Sequence, residues 1–329
     1  MINEETDKPI EIENHAILLH LHYQELWPEF KCHLEKIIGN ISKESIFRKI
    51  CSEGEKFVAK EDCIVAYGHG SCPGLDSEYF FYKNLTRGQN ITFDNKTFGD
   101  PRFNFAKSGF VFTGISQEKN YHVDLYVTIN TTETLWYEDI KSNATEVFLV
   151  ENKGMDFGGF LYAYDQIKHI DYKTITKLHG KKKSLYPSRH KGLISASEWQ
   201  QDLYSPLIVG KNYIDMLDHF ENDEKIHMCG SRICFRSEFK GSPSGIKNQK
   251  SIGKVNDILK LPNPDWYDFV AGSIFSVSKN YLDRFLQNKG MEIYEIMEDG
   301  FEFEGLIGHA LERLIGTQIK HLQGRMQLL

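Results

Sequence analysis

The chain has 329 residues, of which 40% are hydrophobic and 26% are charged, the ordinary balance of a globular protein. Its net charge of −7 excludes the overall basic field that nucleic-acid binding proteins use, so any anion site must be a local patch. No apolar run approaches the ~20 residues that span a bilayer. The first 14 residues are acidic and polar, unlike a signal peptide, which predicts a cytoplasmic protein with six reduced cysteines.

The first part of the chain predicts the opening of an α/β unit. Residues 15–21 form a short apolar run typical of a buried strand, and residues 24–38 carry apolar side chains at helical spacing. Residues 39–120 sustain no regular period and are interpreted as a large insertion or subdomain. Within that insertion we expect one helix near residues 44–51 and strands at residues 63–67 and 109–113.

Regular alternation of strands and helices returns after residue 120. Strands are predicted at residues 123–129, 147–150 and 173–178, with helices at residues 132–142 and around residues 160–167. Such alternation indicates an α/β fold with a mostly parallel, doubly wound sheet flanked by helices.

The last third of the chain predicts further elements of the same kind. They are helices at 199–207, 213–220, 279–287 and 305–315, strands at 226–229 and 269–277, and a polar loop over 236–262.

A glycine-bearing turn at residues 152–159 stands between a predicted strand and a predicted helix. Glycine permits tight backbone paths there, and the first N–H groups of a helix attract anions. The dinucleotide spacing of glycines is absent. Asp156 is interpreted either as the cap of the helix or as a ligand of a nucleotide base or ribose.

A basic segment, residues 177–184, follows the next predicted strand. It carries Lys177, Lys181, Lys182 and Lys183 together with His179. A lysine-rich stretch is often only a solvated face, but loops after strands are where open α/β sheets bind ligands. Lysine and histidine can neutralise a diphosphate by charge and hydrogen bonds, so a diphosphate is one expected ligand.

An acidic segment precedes the last predicted helix. It contains Asp299, Glu302 and Glu304 among other carboxylates, followed by His309. Acidic residues before a helix stabilise its amino end, and this reading competes with a catalytic one. In the catalytic reading, one carboxylate is the general base that activates a hydroxyl nucleophile.

Several blocks of the chain, in order, resemble the rhamnan synthesis protein F family. They are residues 20–23 with 26–27, 124–128, 151–160, 177–182, 269–275 and 309–313. The resemblance covers residues 15–40 and 120–316, and residues 39–120 have no counterpart. It implies a GT-A-like glycosyltransferase of bacterial surface polysaccharide synthesis, such as lipopolysaccharide or capsule, that commonly moves L-rhamnose.

The resemblance also implies which parts of the chain bind the donor and the acceptor. Residues 1–38 and 121–329 would form the glycosyltransferase domain, with a nucleotide-sugar half at about 15–38 and 121–185 and an acceptor half at about 186–316. The residues implied for nucleotide-sugar binding are His20, His22, Tyr23, Asn130, Asn152, Gly154, Asp156, Lys177, His179, Lys181 and Lys182. Those implied for acceptor binding are Asp265, Trp266, Asp268 and His309.

The catalytic base implied by the family is Glu304, with Glu302 second and Asp299 third, although the family usually has aspartate at the position of Glu304. GT-A enzymes ordinarily hold a metal through an Asp-x-Asp motif in the loop after the strand, and Lys177-Leu178-His179-Gly180-Lys181 stands there instead. We therefore expect weak or no dependence on Mg²⁺ or Mn²⁺ and no required cofactor, and the resemblance implies an inverting enzyme.

The expected partners are a nucleotide-diphospho-sugar donor and a saccharide acceptor, which could be lipid-linked. Peripheral contact with the inner face of the membrane or with other polysaccharide-synthesis enzymes is a further expectation. The resemblance implies L-rhamnose or another deoxyhexose as the donor sugar. Two other functions remain: a non-catalytic carbohydrate-binding or assembly subunit, and, ranked last, a nucleotidyltransferase, which would need metal-binding carboxylates beside the basic segment.

Overall fold

A computed structural model describes residues 12–42, 47–60, 63–68, 80–100, 107–112, 120–180, 185–188, 192–209, 212–300, 302 and 304–329. The chain divides into two compact units. The smaller unit comprises Met1–Ile12 and Ser42–Asn120, and the larger comprises Glu13–Ile41 and Tyr121–Leu329.

The strands and helices of the described residues are numbered in chain order. The strands are β1 (Ile12–Leu21), β2 (Gly39–Ser42), β3 (Phe47–Ser52), β4 (Lys56–Val58), β5 (Cys63–Gly68), β6 (Phe80–Leu85), β7 (Asn90–Thr92), β8 (Ser108–Phe112), β9 (Asn120–Ile129), β10 (Glu146–Leu149), β11 (Thr174–His179), β12 (Leu185–Ser188), β13 (Gly192–Ser195), β14 (Ile226–Gly230), β15 (Phe235–Phe239), β16 (Trp266–Val270), β17 (Phe275–Ser278) and β18 (Arg325–Leu328). The α-helices are α1 (Trp27–Leu34), α2 (Asn95–Phe98), α3 (Tyr137–Asn143), α4 (Met155–Ile167), α5 (Ala196–Ile208), α6 (Asn212–Asn222), α7 (Pro243–Leu259), α8 (Lys279–Leu286), α9 (Gly290–Glu295) and α10 (Ile307–His321).

The larger unit is built on a central sheet with the strand order β10-β9-β1-β11-β17-β14-β18, and β2 also pairs with β9. The pairs β10–β9, β1–β11 and β14–β18 are parallel, whereas β17 runs antiparallel to both of its neighbours. The prediction of an α/β fold with a largely parallel sheet flanked by helices is confirmed at this level.

The chain reverses its direction of travel across this sheet at β1. From β1 it passes to β9 and β10 on one side, then crosses through α4 to β11 on the other side. Hydrogen bonds join His20 to Thr128 and His22 to Asn130, and because residue numbers rise together in these pairs, β1 and β9 run in the same direction. Ligands of open α/β sheets bind at the carboxyl ends of strands at such a reversal.

Both faces of the central strands are covered. All six residues of β11 are buried, as are the last seven of β1, which is typical of a parallel strand packed between helix layers. On one face, α4 contributes Phe157, Phe160 and Leu161 to the core. Within the described part of the chain, no helix is both long and apolar enough to cross a membrane.

The smaller unit has its own core beneath a four-stranded antiparallel sheet of order β3-β8-β5-β6. Val65, Tyr67 and Phe93 are fully buried there. The helix predicted near residues 44–51 is wrong for its described part, because β3 pairs with β8 instead. Pairing with a distant strand has overridden a weak local helical pattern.

Residues 236–262 were predicted as a polar loop, and this prediction is wrong. They contain the end of β15 and the whole of α7, a helix of 17 residues. Ser242 caps the helix by accepting a hydrogen bond from the Gly245 N–H, and Pro243 follows it at the first helical position. The buried side of α7 includes polar residues such as Asn248 and Ser251, so the hydrophobic period is weak.

Residues 269–277 were predicted as one strand but form the end of β16, a turn and the start of β17. Gly272 and Ser273 in this turn have φ values of 99° and 57°, a region that favours glycine. The helix α9 and the strand β18 were not predicted at all. The turn brings Ser273 to the carboxyl end of β11, where the candidate site lies.

Candidate functional site

The candidate site begins at the turn between β10 and α4. Gly154 is the N-cap of α4 and has φ 67°, and its N–H donates to the carbonyl of Glu298 at 2.9 Å. A Cβ at this position would lie 2.0 Å from the sulfur of Met297. Glycine therefore lets the turn approach the 297–299 segment closely. Asp156 lies in the first turn of α4 and is not its N-cap, so the capping interpretation is wrong.

Lys177 lies within β11, not in a solvated loop, and its side chain is 1% exposed. Its ammonium group donates to the carboxylate of Asp156 and, at 2.9 Å, to the carbonyl of Ser273. The same nitrogen lies 4.3 Å from the centre of the Phe157 ring. A carboxylate, a carbonyl and an aromatic face are the groups that stabilise a cation away from water.

Two histidines stand beside this ion pair on neighbouring strands. His179 is buried, and its Nδ1 lies 3.3 Å from Oδ2 of Asp156. His20 is the register partner of His179 on β1, and its Nδ1 is hydrogen-bonded to Thr128 at 2.9 Å. Burial lowers the pKa of His20 to about 4, although the charge of Asp156 opposes the shift. Its imidazole is therefore neutral at physiological pH.

More exposed polar side chains form a rim above these buried groups. His22 Nδ1 donates to Oδ1 of Asn130 at 2.9 Å, and Asn130 Nδ2 donates to the carbonyl of Val150 at 3.1 Å. Tyr23 meets the His22 ring edge-on at 4.6 Å. Asn152 is exposed at the start of the turn. The ends of β1, β9 and β10 thus present donors, acceptors and an aromatic ring together.

The three predicted catalytic carboxylates lie in different surroundings. Glu302 and Asp299 are exposed, and the backbone of Asp299 forms a β-bridge with Lys153 of the turn before α4. Glu304 accepts from Asn248 at 2.5 Å, and its Oε2 lies 3.2 Å from Nη2 of Arg313. The Glu304 carboxylate is therefore engaged by an amide group and a guanidinium group.

The amino end of α10 also reaches the site. Gly308 packs against the turn, since a Cβ there would lie 3.3 Å from the carbonyl of Gly154. Burial lowers the pKa of His309, and the carboxylates of Glu312 and Glu304 partly offset that shift. One helical turn further on, Glu312 accepts hydrogen bonds from the Gly272 N–H and the Ser273 hydroxyl, both at 2.8 Å.

The residues predicted for the acceptor are not brought together. Asp265 pairs with Lys240, and Trp266 is 56% exposed beside Phe239. Asp268 pairs with Lys320 in the last turn of α10, whereas His309 lies in the first. At 1.5 Å per residue, roughly 16 Å of helix separates those two positions. Only His309 of this predicted set belongs to the site at the strand ends.

Lys181 and Lys182, both predicted to bind the diphosphate, lie outside the described residues, so the structure places neither. Among the residues that it does describe, no group of three or more His, Cys, Asp or Glu side chains is arranged to hold a metal ion. Lys177 is the described lysine of the predicted nucleotide-sugar set, and its charge is matched by Asp156.

Sequence reasoning missed three residues that complete the site. Ser273 was read as part of a strand, although the preceding Gly272 is a signal for a turn. Thr128 and Glu312 carry no local signal, because their partners come from distant parts of the chain. Ser273 and Glu312 link α10 to β11.

Comparisons with known proteins add no relative to this description. No protein-family model matches the chain, no curated protein matches it, and no solved structure matches it.

Proposed function

We propose that the chain is a GT-A-like glycosyltransferase that moves a sugar from a nucleotide-diphospho-sugar to a saccharide acceptor. The observation that carries the proposal is the convergence of polar groups at the reversal point of the sheet, beside β1. Exposed His22 and Asn152 and half-buried Asn130 form a polar rim there, near the ion pair of buried Lys177 with Asp156, which is 11% exposed. Open α/β sheets bind nucleotides at this kind of position.

In an inverting transfer, an acceptor hydroxyl attacks the anomeric carbon while the bond to the diphosphate breaks, and a base takes the hydroxyl proton. The surroundings of the three carboxylates favour Asp299 as that base. It is exposed, and its backbone bridge to Lys153 places it beside the turn before α4. Glu304, which the resemblance ranked first, is engaged by Arg313 and Asn248.

Substitution of each carboxylate tests this order. Asp299→Asn should lower turnover by at least ~100-fold, the usual contribution of a general base. Glu302→Gln and Glu304→Gln should lower it less. Asp257→Asn is the matched control, because Asp257 is exposed on α7. An Asp299→Asn variant with wild-type turnover would remove this residue from the mechanism.

The departing diphosphate carries negative charge that must be neutralised. In this proposal Lys181 and Lys182 supply the positive charge and His179 supplies a hydrogen bond, so no divalent metal takes part. The assignment predicts that activity persists in EDTA. Activity that is lost in EDTA and restored by Mn²⁺ would show instead that a metal neutralises the diphosphate.

The donor sugar is proposed to be L-rhamnose or another deoxyhexose and the acceptor a growing surface polysaccharide, in line with the family resemblance alone. A second function, a non-catalytic carbohydrate-binding subunit, is favoured by one observation. Trp266 and Phe239 are about half exposed, with ring centres 5.3 Å apart, and exposed aromatic faces suit sugar rings.

Titration calorimetry with UDP, dTDP and GDP, with and without Mg²⁺, separates these functions. A transferase should bind one nucleoside diphosphate, and a panel of its sugar conjugates should then reveal slow donor hydrolysis by mass spectrometry. A subunit that only binds carbohydrate should bind oligosaccharide and no nucleotide. Binding of neither class would remove both proposals.

A further inference from the structure

The ammonium group of Lys177 is enclosed by protein groups on several sides. Asp156 supplies a carboxylate, Ser273 supplies a carbonyl at 2.9 Å, and the Phe157 ring lies 4.3 Å away. The rings of Phe160 and Phe275 follow at 5.8 and 5.9 Å. A diphosphate oxygen could reach this nitrogen only by displacing one of these partners from a side chain that is 1% exposed.

The carbonyl that completes this enclosure is itself held in place. Ser273 has a φ of 57°, a backbone conformation that residues other than glycine rarely adopt. Such conformations persist where neighbouring groups impose them. Glu312 on α10 imposes it by accepting from both the Gly272 N–H and the Ser273 hydroxyl. The contacts therefore run from α10 through the turn to Lys177 and on to α4.

We propose that Lys177 is a positioning residue: it fixes the carboxylate of Asp156 and so the first turn of α4, and Glu312 holds the carbonyl that completes its enclosure. The physical reason is that a buried carboxylate without a cation is strongly disfavoured, so the pair sets where α4 begins relative to β11. In the proposed function, the rim at the strand ends next to the first turn of α4 then binds the donor, and only that consequence rests on the proposed function.

Unfolding measurements test the positioning role directly. Lys177→Met should lower the melting temperature, and Lys177→Met combined with Asp156→Asn should recover part of the loss, because the double variant buries no unpaired charge. Lys254→Met is the matched control, since Lys254 is exposed on α7. A double variant no more stable than Lys177→Met overturns the proposal.

A pH profile distinguishes this role from general packing. Without Lys177, burial should raise the pKa of Asp156 in the folded state, so the deficit of Lys177→Met should shrink as the pH falls from 8 toward 5. The double variant should show no such trend. Among the described residues, the other titratable groups that interact with Asp156 include His179, His20 and His309, and all three are present in both variants. A deficit that is constant over this range contradicts the proposal.

The variant Glu312→Gln tests the same proposal if Lys177→Met does not fold. Glu312 is 14% exposed, and Glu312→Gln removes its charge with little change of shape. Hydrogen exchange should then quicken in residues 155–160 of α4 as well as in residues 271–274. Faster exchange confined to residues 271–274 would show that Glu312 does not act through Lys177.

The donor-binding consequence is measured with whichever of UDP, dTDP and GDP binds the wild type, and with the matching monophosphate. In the double variant, the ratio of the two dissociation constants should stay within about twofold of wild type, since Lys177 does not touch the diphosphate. A selective loss of about tenfold for the diphosphate would show direct contact and overturn the assignment. If no nucleotide binds, the proposed function fails, while unfolding and exchange still decide the positioning role.

Discussion

Lys177 and Arg313 are two buried cations of the larger unit that meet their carboxylates in different ways. Lys177 shares its charge with Asp156, and its ammonium group also contacts a carbonyl, aromatic rings and Nδ1 of His179 at 3.4 Å. Arg313 is 3% exposed and lies 2.9 Å from Glu238, 3.2 Å from Glu304 and 3.6 Å from Glu312. The ammonium group of Lys177 pairs with one carboxylate, whereas the guanidinium group of Arg313 lies close to three.

The difference follows from the two side chains. The planar guanidinium group has five donors in fixed directions, so Arg313 can join β15, the segment before α10 and α10 itself. An ammonium group on a flexible stem suits a small enclosure at the end of one strand. We therefore expect Arg313 to matter mainly for stability and Lys177 mainly for the geometry of the site.

The largest effect is expected for Arg313→Met. Removing the guanidinium group leaves Glu238 and Glu304 close together without their shared cation, which should cost about 3–5 kcal/mol of unfolding free energy. Urea unfolding followed by circular dichroism measures the loss. Arg325→Met is the control, since Arg325 is 55% exposed in its pair with Asp223 and should change little.

Arg313→Lys sharpens the same comparison. A lysine restores the charge but cannot reach three elements at once, so most of the loss should remain. Full recovery by lysine would show that charge alone matters at this position, and that the contrast between the guanidinium and ammonium groups is wrong.

The second effect concerns the packing of α4 over the site. A Cβ on Gly159 would lie 2.4 Å from Nδ1 of His20 and 2.6 Å from the Thr128 hydroxyl, so Gly159→Ala should cost up to about 3 kcal/mol. Gly253 in α7 is the matched control, because nothing lies within 4 Å of its Cβ position. Gly253→Ala should instead gain roughly 0.5–1 kcal/mol from helix propensity. An equal change in the free energy of unfolding for Gly159→Ala and Gly253→Ala would contradict the close packing of Gly159 in α4.

The third effect is a pH dependence. The pKa of His20 is lowered by burial to about 4, below its ordinary 6.5, so the unfolded chain binds the proton more tightly. The neutral His20 side chain therefore makes its full contribution to the free energy of unfolding above about pH 7. That contribution is lost as the pH falls from 6.5 toward 4, and the loss is on the order of 2 kcal/mol at pH 5.

His20→Gln should reduce the stability difference between pH 7 and pH 5 by that amount in urea unfolding. The pKa of His15 is also lowered by burial to about 4, so the pH dependence of stability that comes from His15 should persist in His20→Gln. His169→Gln is the control, because His169 is exposed. An unchanged difference in His20→Gln would mean that His20 is not buried as a neutral imidazole.

The smallest effect is expected at the turn held by Glu312. Ser273→Ala removes one hydrogen bond of 2.8 Å and should cost about 1 kcal/mol. Ser273→Gly removes the same bond but relieves the positive φ, a gain of about 1 kcal/mol, so it should be nearly neutral. If glycine is as costly as alanine in thermal unfolding, the backbone at Ser273 is not strained.

Local pattern predicted much of the fold but less of the site. The strands β1, β9, β11 and β14 and the helices α4, α5, α6, α8 and α10 lie where apolar periodicity places them, because each buries its own apolar residues. The helix α7 was missed since its buried side includes Asn248, which is satisfied by Glu304 from 56 residues away. Partners that distant leave no local signal.

The sequence by itself determined an α/β protein with a largely parallel sheet and a turn before α4 that requires glycine at Gly154. Only the tertiary structure decided what Lys177 does, because a lysine is predicted at the surface unless a carboxylate from another element meets it. Asp156, 21 residues earlier in the chain, and Ser273, 96 residues later, meet it at the end of β11. Strand order brings these residues together, and strand order is set by packing of the whole sheet.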